Sequence, residues 1–217
     1  ALYRIAEKLD LASIKFIFLL RNPIDRAFSH YLMTYRRGRE TLGFQDALAQ
    51  ESTRIGSGGY DEKAHFSYVS RGLYFRQIER YLGCTSRSQM LFIFAEDLKL
   101  NPGKSLKSIF HFLNVSNEFL PPSMGHEFHR ATVPHSMPLL KRIQGQSFEK
   151  DLIRILIPFK GIRRVLRKKI IDLNQTKTPN IVLEDRAREY LADVFREEND
   201  RLAKFLGQDL SHWDYKS

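Results

Sequence analysis

The sequence predicts an α/β fold, a parallel sheet flanked by helices, with a helix-rich C-terminal half. Three observations carry this. Ile14–Leu20, broken only by Lys15, and Gln89–Ala95 are apolar runs of strand length, rich in β-branched and aromatic residues, as in strands buried on both faces. Each run is followed by an Asn-Pro pair, Asn22-Pro23 and Asn101-Pro102, and Asn then Pro is a favoured way to open a helix. Most of the remaining chain repeats apolar residues every three to four positions, most cleanly near its C-terminal end.

Length and composition bound what the chain does. A chain of 217 residues reads as one domain, able to bury roughly 70% of its unfolded surface. An apolar fraction of 42% and a charged fraction of 28% are those of a water-soluble globular protein, and no run approaches a membrane span. The single Cys84 excludes an internal disulfide framework and fits a reducing compartment. The net charge of +10 favours a polyanionic partner: a nucleic acid, an anionic glycan, an acidic membrane or a phosphate-rich cofactor.

Residues 2–10 place Leu2, Ile5, Ala6 and Leu9 at helical spacing, so a short amphipathic helix is expected before the first strand. That strand runs into Arg21, Asn22 and Pro23, and the helix opened there is expected to reach about Arg37, with Gly38 as its stop. Backbone N–H groups at the helix start, the helix dipole and the Arg21 guanidinium would converge on an anion, with the Ser29 hydroxyl in reach. A capped helix beside a surface arginine fits the same residues. Thr41–Glu51 reads as a short helix, and Gly56–Gly59 as a connection: no strand precedes it and no Lys-Ser/Thr pair follows, so it lacks the context of a phosphate-binding Walker loop.

From Tyr68 to Leu82 a turn at Arg71-Gly72 leads into a helix burying Leu73, Ile78, Tyr81 and Leu82. The second strand ends in Glu96-Asp97-Leu98, at a strand edge where ligands collect in open α/β sheets. Glu96 is read mainly as a structural carboxylate that fixes nearby arginines or backbone. The helix after Asn101-Pro102 turns Leu106, Ile109, Phe110 and Leu113 inward. Phe119–Pro138 is proline-rich and loop-like. Its His126, His129 and His135 lack an evident fourth ligand, so no metal site is expected. Residues 145–175 form a basic insertion, in which Pro158 and Gly161 divide Phe148–Ile171 into two short amphipathic helices. An interfacial or polyanion-binding role competes there with a lid-like helical pair solvated on its basic face, and the lid is preferred. In a long helix from about Leu183 to Leu206, Ala187, Tyr190, Leu191, Val194, Phe195, Leu202, Phe205 and Leu206 form an apolar stripe, and Gly207 ends it.

The stretch Arg21-Asn-Pro-Ile-Asp-Arg26-Ala-Phe-Ser29-His-Tyr31 resembles the 3′-phosphate-binding motif of sulfotransferases that use 3′-phosphoadenosine 5′-phosphosulfate (PAPS), in particular the heparan-sulfate and bacterial branch. The resemblance implies a P-loop NTPase-like parallel sheet. It also implies that Arg21 and Ser29 hold the 3′-phosphate of PAPS and of its product, adenosine 3′,5′-bisphosphate. Tyr68, Gly72 and Tyr74 match an element that lies beside the acceptor and cofactor cleft. Arg130 and His135 fall in a segment similar to the loop that closes over the nucleotide. The terminal Leu210-Ser-His-Trp213 resembles the family's closing Leu-x-x-Trp, a packing element.

By this resemblance the chain is expected to transfer a sulfuryl group from PAPS to a hydroxyl or amine of a glycan, glycolipid or small acceptor, without a metal. In the family, the loop that cradles the 5′-phosphosulfate and the usual catalytic base precede the 3′-phosphate motif. Both are therefore expected upstream of Ala1, and the N-terminal strands that carry them are expected to be missing here. The alternative is a non-catalytic, sulfotransferase-like protein that binds anionic glycan or membrane through its basic surface, residues 148–171 included. A P-loop kinase is disfavoured because no Walker lysine is visible. Nucleic acid is not an expected partner, since no helix–turn–helix, zinc finger or stacking motif supports one. A bacterial-type member would be cytoplasmic, and a eukaryotic one with its anchor removed would sit in the Golgi lumen.

Overall fold

The computed structural model describes residues 13–119, 121–122, 132–134, 161, 165, 169, 175–177 and 181–213. Ala1, upstream of which the catalytic base is expected, lies outside them, as do the expected helix at 2–10, Arg130 and His135. So do the three-histidine cluster and nearly all of the basic insertion at 145–175. The described elements are β1 (Phe16–Leu20), α1 (Pro23–Arg36), α2 (Phe44–Ser57), α3 (Tyr60–Phe66), α4 (Tyr74–Leu82), β2 (Met90–Phe94), α5 (Ala95–Leu100), α6 (Pro102–Leu113), β3 (Thr132–Pro134), β4 (Gln175–Lys177) and α7 (Asp185–Leu206). The architecture is mixed α/β and rich in helix. None of these helices is long and apolar enough to cross a membrane. The chain forms two compact units, one of residues 1–27, 69–128 and 185–217 and the other of residues 28–68 and 129–184.

In the first unit β1 and β2 pair in parallel, from Phe16 opposite Met90 to Leu20 opposite Phe94. Phe18 stacks on Phe92 at 5.0 Å, and Tyr81 of α4 meets Phe16 and Phe18 edge-on. Leu20, Ile78, Met90, Leu202, Leu210 and Trp213 make the core, ringed by Phe75, Phe92, Phe94 and Phe205. The expectation of strands buried on both faces holds for β2, whose residues are all buried or half-buried, and is corrected for β1. Ile17 and Leu19 are 42% and 57% exposed, because the helices of the described residues cover chiefly the Phe16–Phe18–Leu20 side of β1. An apolar run reports what a strand is able to bury, and neighbouring elements decide what it does bury.

Helix α7 organises this unit. Phe195 is fully buried, and Glu198 accepts the backbone N–H of Arg76 (3.2 Å) and its Nε (2.9 Å), so a carboxylate of α7 sits at the positive start of α4. Gly72, in the turn before α4, lies so close to α7 that an added Cβ would stand 2.7 Å from Cε1 and Cζ of Phe195. Gly72→Ala therefore destabilises the unit by about 1–3 kcal/mol through overpacking. Urea unfolding checks this. The midpoint falls in Gly72→Ala and recovers in part when Phe195→Leu vacates the space, whereas a midpoint within error of the parent's rules out the clash.

In the second unit α2 runs to Ser57, past the expected end at Glu51 and into the Gly56–Gly59 stretch read as a connection, and α3 begins directly after that stretch. The two helices reverse at Gly58, where a Cβ would lie 2.4 Å from Glu62 Cβ and 2.5 Å from the Arg54 carbonyl oxygen. The glycines thus mark a tight helix–helix turn. Thr132–Pro134 pairs antiparallel with Gln175–Lys177, a short ribbon that local periodicity does not reveal because its strands are far apart in sequence.

Candidate anion site at the β1–α1 junction

The sequence folds this junction through one side chain. Asn22 Oδ1 accepts the Ile24 N–H (3.0 Å) and the Asn22 carbonyl accepts the Arg26 N–H (2.9 Å), so Asn22 caps α1 as expected. Asn101 stands at the start of α6 without a side-chain cap bond, so the same dipeptide is used differently there. Three other parts of the first unit hold the Asn22 junction. Glu96 Oε1, in the first turn of α5, accepts the Asn22 N–H at 3.1 Å. The Trp213 carbonyl accepts from Asn22 Nδ2 at 3.3 Å, and the Tyr74 hydroxyl donates to the Arg21 carbonyl at 2.9 Å.

These bonds narrow the expected helix-terminus site. Pro23 has no N–H, and those of Asn22, Ile24 and Arg26 are committed, which leaves the Asp25 amide. An anion held at this junction would take most of its contacts from side chains and not from the bare helix end. Arg21 is exposed at the end of β1, and Ser29 is exposed on the second turn of α1. Both are donors suited to a phosphate oxygen.

Tyr74 sits among charges. Burial pushes its phenol up to about 12. The nearby Arg26 and Arg21 guanidiniums and the bond to the Arg21 carbonyl oppose that rise, and Glu96 adds to it. It therefore stays protonated across the physiological range and serves as a donor, not as a base. Tyr68, the other tyrosine singled out, is fully enclosed in the second unit, bonded to Thr34 Oγ1 (3.1 Å) and Glu40 Oε2 (2.8 Å), and burial pushes its phenol further up. Gly72 is likewise interior, against Phe195. Of the three residues matched to the acceptor-side element, Tyr74 alone is bonded at the junction.

Sequence reasoning missed Glu40. Its side chain is fully buried and accepts from the Thr41 and Leu42 amides (2.8 and 2.9 Å), Arg54 Nη1 (2.6 Å) and Tyr68 Oη. An acidic residue two positions after the Gly38 stop, followed by Thr-Leu, is the only local signal for it. Among the described residues no group of three or more His, Cys, Asp or Glu side chains is placed to hold a metal. A cleft of about 230 Å³ along β2 and α6, lined in part by Lys104, Ser105 and Ser108, includes neither Arg21 nor Tyr74.

No curated protein matches the chain. A crystal structure of a sulfotransferase from Alicyclobacillus acidocaldarius superposes with a TM-score of 0.60 at 26% identity, over 92% of this chain and 57% of that one. This chain thus spans little more than half the length of that structure. Residues 2–129, which include the whole junction, β2, α5 and α6, match the family described as the sulfotransferase domain. The chain belongs to the sulfotransferase domain family.

Proposed function

We propose that this chain holds the 3′-phosphate end of PAPS in a sulfotransferase that moves a sulfuryl group to a hydroxyl or amine of a glycan, glycolipid or other small acceptor. The observation that carries the reading is the exposed Arg21 guanidinium on a backbone fixed by Asn22, Glu96, Tyr74 and Trp213. An anion site needs a donor of this kind on a rigid support. In this reading Arg21 and Ser29 bind the 3′-phosphate, Arg130 and His135 close over the nucleotide, and Tyr74 stands beside the reacting groups. When bound, PAPS would supply the sulfuryl group for the acceptor and leave as adenosine 3′,5′-bisphosphate, with the acceptor's proton going to a base. No described residue is assigned that base or the 5′-phosphosulfate cradle. A cytoplasmic location suits a bacterial-type enzyme, and a Golgi lumen suits a eukaryotic one.

The test is a thermal-shift and calorimetric titration with adenosine 3′,5′-bisphosphate, with adenosine 5′-monophosphate as the control lacking the 3′-phosphate. Ligand at about a hundredfold over its Kd stabilises the protein by about 2.7 kcal/mol. Arg21→Ala weakens binding about 30- to 100-fold, the size of a charge-assisted contact to phosphate. The net charge of +10 favours a second reading, a non-catalytic protein that binds anionic glycan or membrane. Stabilisation by heparin and not by the bisphosphate selects that reading.

A further inference from the structure

We propose that Glu96 and Tyr74 act together as positioning residues for Arg21, by gripping the two ends of a single peptide plane. The inference rests on the reading of Arg21 as a phosphate ligand and adds how its aim is set.

The parallel ladder pairs each β1 residue with the β2 residue 74 positions later, from Phe16 with Met90 to Leu20 with Phe94. Beyond Phe94 the β2 chain turns into α5 and its backbone no longer continues the ladder. The next bond keeps the same offset: Glu96 Oε1 accepts the N–H of Asn22. A side chain thus makes the rung that the departing backbone cannot. The Asn22 N–H belongs to the same planar peptide as the Arg21 carbonyl, and the chain has no cis peptide bond among the described residues. In a trans peptide these two groups point in opposite directions. The Arg21 carbonyl, at the other end, takes the Tyr74 hydroxyl at 2.9 Å.

Carboxylate and phenol thus hold the plane from opposite sides. With the plane fixed, ψ of Arg21 and φ of Asn22 are fixed, and so is the direction in which the Arg21 side chain leaves the backbone. The grip has chemical sense. Glu96 takes an amide that would otherwise need solvent, and Tyr74, held protonated, donates at any physiological pH. The second carboxylate oxygen, Glu96 Oε2, is buried with no hydrogen-bond partner, so among the described residues the Asn22 amide is the one donor to this carboxyl group. A carboxylate kept there for that single bond is acting on the backbone.

The experiment has a ligand-free arm and a ligand arm on the full chain. In the ligand-free arm, hydrogen exchange of the Asn22 amide is followed by NMR. It speeds up about tenfold or more in Glu96→Ala, and Glu96→Gln, which keeps an acceptor oxygen, restores most of the protection. In the ligand arm, Glu96→Ala and Tyr74→Phe each weaken adenosine 3′,5′-bisphosphate about tenfold in the parent protein and have no further effect in an Arg21→Ala background. That is the pattern expected when they act through Arg21. Losses that add fully to that of Arg21→Ala overturn the proposal, as does unchanged Asn22 exchange in Glu96→Ala. Should Glu96→Ala not fold, Glu96→Met, which fills the space without a strong acceptor, carries the exchange arm and Tyr74→Phe carries the ligand arm. A parent protein that binds no bisphosphate overturns the cofactor reading, and the exchange arm then decides the grip on its own.

Discussion

Trp213→Ala lowers the unfolding free energy by about 3–5 kcal/mol, the range for deleting a large buried aromatic. The ring is 2% exposed, meets Phe94 edge-on at 5.5 Å and Tyr74 at 6.2 Å, and packs among Leu20, Ile78, Met90, Leu202 and Leu210. These neighbours come from both strands, α4, α7 and the chain beyond it, so no single element can shift to fill the gap. The loss reaches the β1–α1 junction of the proposed anion site as well, because the Trp213 carbonyl holds the Asn22 side chain. The variant is therefore expected to bind adenosine 3′,5′-bisphosphate more weakly at temperatures where it remains folded. Trp213→Phe separates the two effects. It keeps an aromatic ring and removes an indole N–H that is buried without a hydrogen-bond partner, so it loses less than half as much stability. Urea unfolding followed by far-UV circular dichroism measures both, since the chain's one tryptophan cannot report on its own replacement. A loss below about 1.5 kcal/mol for Trp213→Ala would show that the site collapses onto the vacancy.

What was legible in the sequence was local. Asn22-Pro23 carries its own cap bond, and the apolar runs and the stripe of α7 declare strand and helix within a few turns. The likeness of Arg21–Tyr31 to a known motif pointed to the right family. What could not be read is what depends on distant partners. The mate of Asn22 is 74 residues away in Glu96 and 191 away in Trp213, and nothing near Asn22 encodes either distance. The open amides expected at the start of α1 are for the same reason mostly occupied. Glu96 reads in sequence as fixing backbone or arginines, and the backbone it fixes is that of the β1–α1 junction. Tyr68 and Gly72 show the converse. A motif match places a residue in an element, and packing decides whether it faces a cleft, Phe195 or a buried carboxylate.

That carboxylate is the second large effect. Glu40→Ala destabilises the protein by about 3–5 kcal/mol, as expected when one partner of a buried ion pair is removed. It strands the Tyr68 hydroxyl, the Thr41 and Leu42 amides and an Arg54 guanidinium that already lies over the Phe66 ring at 4.6 Å. These donors come from the loop after α1, from α2 and from the chain after α3, so one carboxylate ties together three segments of the second unit. The same residue sets an acid limb. Burial alone pushes the Glu40 carboxyl up, but hydrogen bonds from Arg54, Leu42, Tyr68 and Thr41 outweigh it and hold the group below its ordinary value. A carboxyl whose pKa is lower in the folded protein binds its proton more readily in the unfolded chain. Its contribution is thus complete above the unfolded value of about 4.3 and disappears as pH falls through the folded one. Urea midpoints of the parent protein should accordingly drop below about pH 5. Glu40→Gln starts less stable at pH 7, because Arg54 loses its counter-charge, and its midpoint declines less steeply on acidification. Parallel acid limbs in the two proteins would mean that other carboxylates carry the pH dependence and that the Glu40 cluster holds its geometry with the proton on.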